Sequence, residues 1–177
     1  MRTLLWSIYI AYLKAMGRRA AVHALFHCHH ELRLRILRAF RASIDEGTRV
    51  NGPLIVMGRF EDFAGLRIGS RTHIGADSLL DLTESITIGS RVAISPRCSI
   101  ITHLNVGDGL LKEKYPPAKA PVTIGDDVYI GTGVTILHGT TIGRGSLVAA
   151  GSLVNTDVAE HTMVAGIPAK PVKTLKP

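Results

Sequence analysis

The chain is poor in the residues that several protein classes depend on. Two cysteines in 177 residues, Cys28 and Cys98, give no disulfide framework and permit a reducing compartment. Aromatic residues make up 5% of the chain, and no basic face with interleaved aromatics or recognition module is visible, so nucleic acid is not an expected partner. No apolar run is long enough to cross a bilayer: the longest, LLWSIYIAYLKAM at residues 4–16, falls well short. No small-residue cleavage site follows that run, so no signal peptide is expected. No G-x-G-x-x-G stretch follows a strand pattern, which leaves out a dinucleotide-type domain.

What is present is uneven. The net charge is +7, and residues 1–50 hold nine Lys or Arg against three acids, so the basic character belongs to the N-terminal segment. Its patterning predicts one or two helices, the second from about Ala20 to Ala42 with Gly47 as a stop, and arginines facing solvent. Those helices can pack on the rest of the chain or on a second subunit. Trp6, Tyr9 and Tyr12 beside arginines also suit peripheral contact of residues 1–20 with an anionic membrane, which places the protein in the cytoplasm, at the inner face of a membrane. His23, His27, His29, His30 and Cys28 crowd together, but no second ligand pair stands at finger-like spacing, and no metal is expected. The single domain of residues 51–177 follows this segment.

That domain carries a six-residue period. Ile68, Ile74 and Leu80 keep it; the count slips by two, then resumes at Ile88, Ile94 and Ile100; it returns in phase at Ile124, Ile130, Ile136, Ile142, Val148 and Val154. Gly often follows, at Gly69, Gly75, Gly89, Gly125, Gly131 and Gly143, where it is expected to adopt backbone angles other residues resist. Neither a helix nor a strand meander has this period. It fits a coil of three short faces, eighteen residues per turn, with one aliphatic residue pointing inward on each face. Each buried aliphatic contributes about 1.5–3 kcal/mol. A straight prism offers no concavity, so a site needs a projection or a second subunit. The interruption at residues 103–121, with Gly107, Gly109, Pro116 and Pro117, is that projection. The tail at 164–177 and the N-terminal helices are expected to cap the ends.

Residues 66–173, about 60% of the chain, resemble the hexapeptide-repeat acyltransferases, and more narrowly the maltose and galactoside O-acetyltransferase branch with its relatives acting on surface polysaccharides. The stretches that carry the resemblance are ITIGSRVAISPRCSIITH at 86–103, PVTIGDDVYIGTGVTILHGTTIG at 121–143, SLVAAGSLVNTDV at 146–158 and VAGIPAKPV at 164–172. It implies a left-handed parallel β-helix, an exception to the usual right-handed crossover, and a homotrimer with grooves between coils. It further implies acetyl-CoA as donor, a sugar or glycan hydroxyl as acceptor, and His103 as the general base, for which imidazole chemistry is suited near neutral pH.

By the same resemblance Thr132, Ala150 and Gly151 line the slot for the pantetheine arm, and Lys170 and Lys173 stand near the nucleotide phosphates, as point charges rather than guanidinium forks. Asn155 and Thr156 depart from the family pattern there. Asp81, Asp108 and Tyr115 are the acceptor-binding candidates. His73, His138 and His161 occupy outward or turn positions and are read as surface residues. An antibiotic-acetylating enzyme and a non-catalytic β-helix scaffold remain as alternatives. A coil-type carbonic anhydrase needs a second His about five residues after the first, where Asp108 stands instead, and a serine acetyltransferase needs a longer helical domain than residues 1–50 provide.

Overall fold

A computed structural model describes residues 2–176. Three helices come first: α1 (Arg2–Met16), α2 (Arg18–His27) and α3 (His30–Ala39). The expected second helix is broken at Cys28–His29, and the agent of the break is Arg33. Its side chain is buried, against the expectation of solvated arginines. Nε donates to the carbonyl of Leu25 at 2.8 Å, Nη2 to that of Cys28 at 2.5 Å and Nη1 to that of Val50 at 3.0 Å. The guanidinium thus caps the C-terminus of α2 and ties the helices to the coil.

The coil starts at Ser43, ahead of residue 51, because Ile44 and Val50 already stack on Ile68 and Ile74. Its first face is built from strands at 43–44, 66–68, 86–88, 122–124 and 141–142. The second face uses 49–50, 73–74, 93–94, 129–130, 147–148 and 162–166, and the third uses 54–57, 78–81, 99–100, 135–136 and 153–154. Within each face all of these strands pair in parallel. Val50, Ile74, Ile94, Ile130, Val148 and Val164 form one inward ladder, each at most 3% exposed. The fold is the parallel hexapeptide-repeat β-helix that the spacing predicts.

The glycines after the corners serve another purpose than the one expected. None of Gly69, Gly75, Gly89, Gly125, Gly131 and Gly143 has a positive φ. A Cβ on Gly131 would lie 2.5 Å from the backbone nitrogen of Ala150 one turn on, and the other five meet the next turn as closely, within 2.9 Å. Close approach of consecutive turns, not backbone angle, demands Gly there. Left-handed angles fall three residues after the inward corner, at Arg71, Asp77, Arg91, Arg97 and Asp127 and at Gly133, Gly145 and Gly151.

Candidate active site

Three turns of the coil are irregular, and all three depart at the same edge, between the third face and the first. The chain runs outward at 58–65, at 82–85 and at 101–121 before the first face resumes. The two-residue slip after Leu80 is the second of these departures. It lengthens the strand to Ser78–Asp81 and widens the following turn, which carries Asp81 and Thr83 beneath the root of the projecting loop. That root is a two-stranded antiparallel ribbon in which His103 pairs with Lys119 and Leu104 with Ala118.

Asp81 is fully buried and both of its oxygens are occupied. Oδ2 accepts from His103 Nδ1 at 2.5 Å and from the Thr102 amide at 2.8 Å. Oδ1 accepts from the Thr83 hydroxyl at 2.7 Å and the Thr83 amide at 3.1 Å. Burial alone would push the carboxyl pKa up. The hydrogen bonds from Thr83, His103 and Thr102 outweigh it and hold the group below the ordinary carboxylate range. An ionised carboxylate only accepts, so in its neutral form the His103 ring carries its proton on Nδ1 and keeps an acceptor lone pair on Nε2. Asp81, expected from the sequence as an acceptor-binding residue, stands here as a partner of the imidazole and has no exposed surface.

His103 is partly exposed and borders an open cavity of about 370 Å³ together with Arg59, Thr83, Asn105, Pro117 and Lys119. Lys119 is held by Glu84 at 2.6 Å. Gly58 lies directly behind the dyad: its φ is +108°, and a Cβ there would stand 2.4 Å from Asp81 Oδ1. Thr83, Arg59 and Gly58 escaped the sequence reading. A signal existed, since Ile44, Val50 and Val56 keep the six-residue spacing in phase with Ile68 and mark 58–65 as an interruption.

Asp108 and Tyr115 sit farther out on the loop and do not border this cavity. Asp108 pairs with Lys112 at 2.7 Å, and Tyr115 is exposed, as are Leu110 and Leu111 on the short 3-10 turn Leu110–Glu113. Thr132, Ala150 and Gly151 come together, but on another edge, between the second and third faces. There the Gly151 amide donates to the Thr132 carbonyl at 2.9 Å across consecutive turns, and open space lies outside Gly133 and Gly151. Lys170 and Lys173 project from the last strand, Ala169–Thr174, and Lys173 borders a cavity of about 360 Å³ with Thr156 and Asp157. The rings of His23 and His27 lie 5.2 Å apart, and the described residues contain no group of three or more His, Cys, Asp or Glu arranged to hold a metal. No helix among them is long and apolar enough to cross a membrane.

The chain as a whole is similar to proteins of known fold and activity. Residues 121–156 match the family model described as bacterial transferase hexapeptide (six repeats). A hexapeptide-repeat containing acetyltransferase from Vibrio cholerae is 30% identical, with a TM-score of 0.79 over 96% of this chain and 94% of that one. The Vibrio cholerae O1 biovar eltor protein solved in complex with acetyl coenzyme A is also 30% identical, with a TM-score of 0.72 over 89% and 84%. A maltose O-acetyltransferase from Clostridium difficile is 26% identical, with a TM-score of 0.70 over 90% and 84%. No curated protein matches the sequence.

Proposed function

The chain belongs to the hexapeptide-repeat acetyltransferases, and from that premise we propose that it moves the acetyl group of acetyl-CoA onto a sugar hydroxyl, with His103 as general base. The observation that supports this reading is the pairing of His103 with the buried Asp81 at the border of a cavity lined by all three irregular turns. Nε2 takes the proton of the acceptor hydroxyl as its oxygen attacks the thioester carbonyl. The tetrahedral intermediate expels the CoA thiolate, the imidazolium returns the proton to that sulfur, and an acetyl ester and CoA remain. Asp81 fixes the tautomer and stabilises the imidazolium. General base catalysis contributes about 10²–10⁴-fold, whereas holding two substrates together contributes roughly 7–11 kcal/mol, so positioning is the larger share.

In this reading acetyl-CoA lies along the edge made by Thr132, Ala150 and Gly151, with Lys170 and Lys173 toward its phosphates. That edge and the His103 edge are different edges of one prism, so a complete site requires a neighbouring copy, as in a homotrimer. The exposed apolar tip of the arm, Leu110, Leu111 and Tyr115, favours contact with that neighbour and puts Asp108 and Tyr115 within reach of the acceptor there. A role in surface polysaccharide synthesis and contact of residues 1–20 with an anionic membrane complete the reading. The test is thiol release from acetyl-CoA with maltose, galactosides and N-acetylglucosamine as acceptors. His103→Ala is expected to lower kcat by about 10²–10⁴-fold; an undiminished rate would overturn the proposal.

A further inference from the structure

The structure leaves α1 almost uncovered. It packs through Leu13, with Trp6 and Ile10 partly buried, while Leu4, Leu5, Ile8, Tyr12 and Met16 are 56–67% exposed. A helix that is apolar nearly all round and yet faces outward needs an apolar environment. The charges of α1 and α2 are also of one sign, since no acidic residue precedes Glu31. Arg18 and Arg19 open α2, one residue past the end of α1. They border a hollow of about 210 Å³ with Met57, Gly58 and Phe60, where the Arg18 guanidinium lies 4.9 Å from the centre of the Phe60 ring.

The next residue along this wall is Arg59, and it belongs to the other side. Met57, Gly58 and Phe60 line the hollow under Arg18 and Arg19, whereas Arg59 lines the cavity of His103. The two hollows therefore adjoin across a single short segment. Among the described residues none of these three guanidinium groups has a carboxylate within ion-pair distance, although Arg41, Arg91 and Arg144 each have one. A neutral sugar has no use for such a set. Guanidinium groups match the oxygens of phosphate bidentately.

We infer that the acceptor sugar reaches His103 attached through phosphate to a lipid: the chain lies along α1, the phosphate lies over the short segment at 57–60 with Arg18 and Arg19 on one side and Arg59 on the other, and the sugar projects into the catalytic cavity. This rests on the acetyltransferase reading of that cavity and names its substrate class. Phosphate could also be presented free, so the source must be separated experimentally.

The probe is farnesyl diphosphate, titrated calorimetrically into the full chain beside farnesol and inorganic pyrophosphate. Farnesyl diphosphate is expected to bind at least tenfold more tightly than either of the others. Arg59→Gln, and separately the Arg18→Gln/Arg19→Gln pair, are each expected to weaken it tenfold or more with unchanged thermal unfolding. Ile8→Glu is expected to weaken farnesyl diphosphate and leave pyrophosphate unchanged. Equal affinity in the wild-type and arginine variants overturns the inference, and so does pyrophosphate binding as tightly as farnesyl diphosphate. Should a second copy of the chain cover α1, Ile8→Glu would change the oligomeric mass without touching farnesyl diphosphate binding, which also overturns it. His103→Ala is expected to bind the probe like the wild type while losing acetyl transfer, so failure of this inference and failure of the acetyltransferase reading give different results.

Discussion

Replacing Asp81 by Asn keeps the shape of the dyad and changes its donors, which makes it the sharpest perturbation available. The amide can be placed in two ways. With its NH₂ toward Oδ2 of the original carboxylate, it faces the Thr102 amide, donor against donor, and forces Nδ1 of His103 to accept, so that the proton moves to Nε2 and the base is lost. With its NH₂ toward Oδ1, the ring keeps its tautomer and the Thr83 hydroxyl can turn to accept; the orphan is the Thr83 amide, whose bond at 3.1 Å is the longest of the four. The second placement strands one weak contact, the first a buried 2.8 Å bond and the catalytic lone pair, so the second prevails.

The variant then retains a base without its anionic partner. A buried carboxylate close to a forming imidazolium is worth up to about 4 kcal/mol at an effective dielectric of 20, and exchange of a charge-assisted for a neutral hydrogen bond costs about 1–1.5 kcal/mol. The net expectation is about 2–4 kcal/mol, a fall in kcat of roughly 30- to 1000-fold. The assay is initial-rate CoA release, with His103→Ala and the double variant in parallel. Because Asp81 acts through His103, the double variant is expected to be no slower than His103→Ala alone. A fall below fivefold, or a full Asp81→Asn effect persisting without the imidazole, refutes the argument.

Other expectations follow from neighbouring contacts. Gly58→Ala places a methyl 2.4 Å from Asp81 Oδ1 on a residue with φ +108°, and should lower kcat about 10²-fold through displacement of the dyad; a wild-type kcat would show that Asp81 tolerates the shift. Arg33→Leu orphans three carbonyls that cap α2 and hold the coil, and should cost about 3 kcal/mol in urea unfolding, with less than about 1 kcal/mol refuting the clamp. The folded-state pKa of Asp81 is depressed, so the stability it contributes is present above the unfolded value near 3.9 and is lost as pH falls through the folded one. The melting temperature should therefore decline below about pH 4, less steeply in Asp81→Asn, and identical slopes would remove that residue from the acid response. The full chain should float with phosphatidylglycerol vesicles and Ile8→Glu should not; equal flotation would separate α1 from any bilayer contact.

The regular part of this molecule was written plainly in its sequence, and the irregular part was not. Ile74, Ile94 and Ile130 announce their own stacking because each answers to a fixed count. Asp81 and His103 meet because the turn after Leu80 is two residues longer than a regular one, and the count registers that as a lost phase rather than a contact. Which side chains share an edge depends on the lengths of all earlier turns. Arg59 was invisible for the same reason, since the repeat at Ile44, Val50 and Val56 had to be joined to Ile68 before 58–65 could stand out as an excursion. His103 stood out as a candidate because it opens the interruption of the count and because the family resemblance puts a base there. The break at Cys28 was illegible because the buried Arg33 guanidinium that caps α2 reaches back to the carbonyls of Leu25 and Cys28, a contact that no residue spacing announces.

The final strand reverses direction. Ala169–Thr174 runs antiparallel on Thr162–Gly166, unlike every rung before it on that face, and it presents Pro171, Lys170 and Lys173 outward. A bare parallel rung is a template on which the next molecule's first rung could grow, and so on into a fibre. Proline lacks the amide such growth requires, and ammonium groups repel a second copy bearing the same ones. At the opposite end α2 and α3 sit on the first strands. The helices on the first strands and the reversed strand on the second face both work against end-to-end growth of the rod.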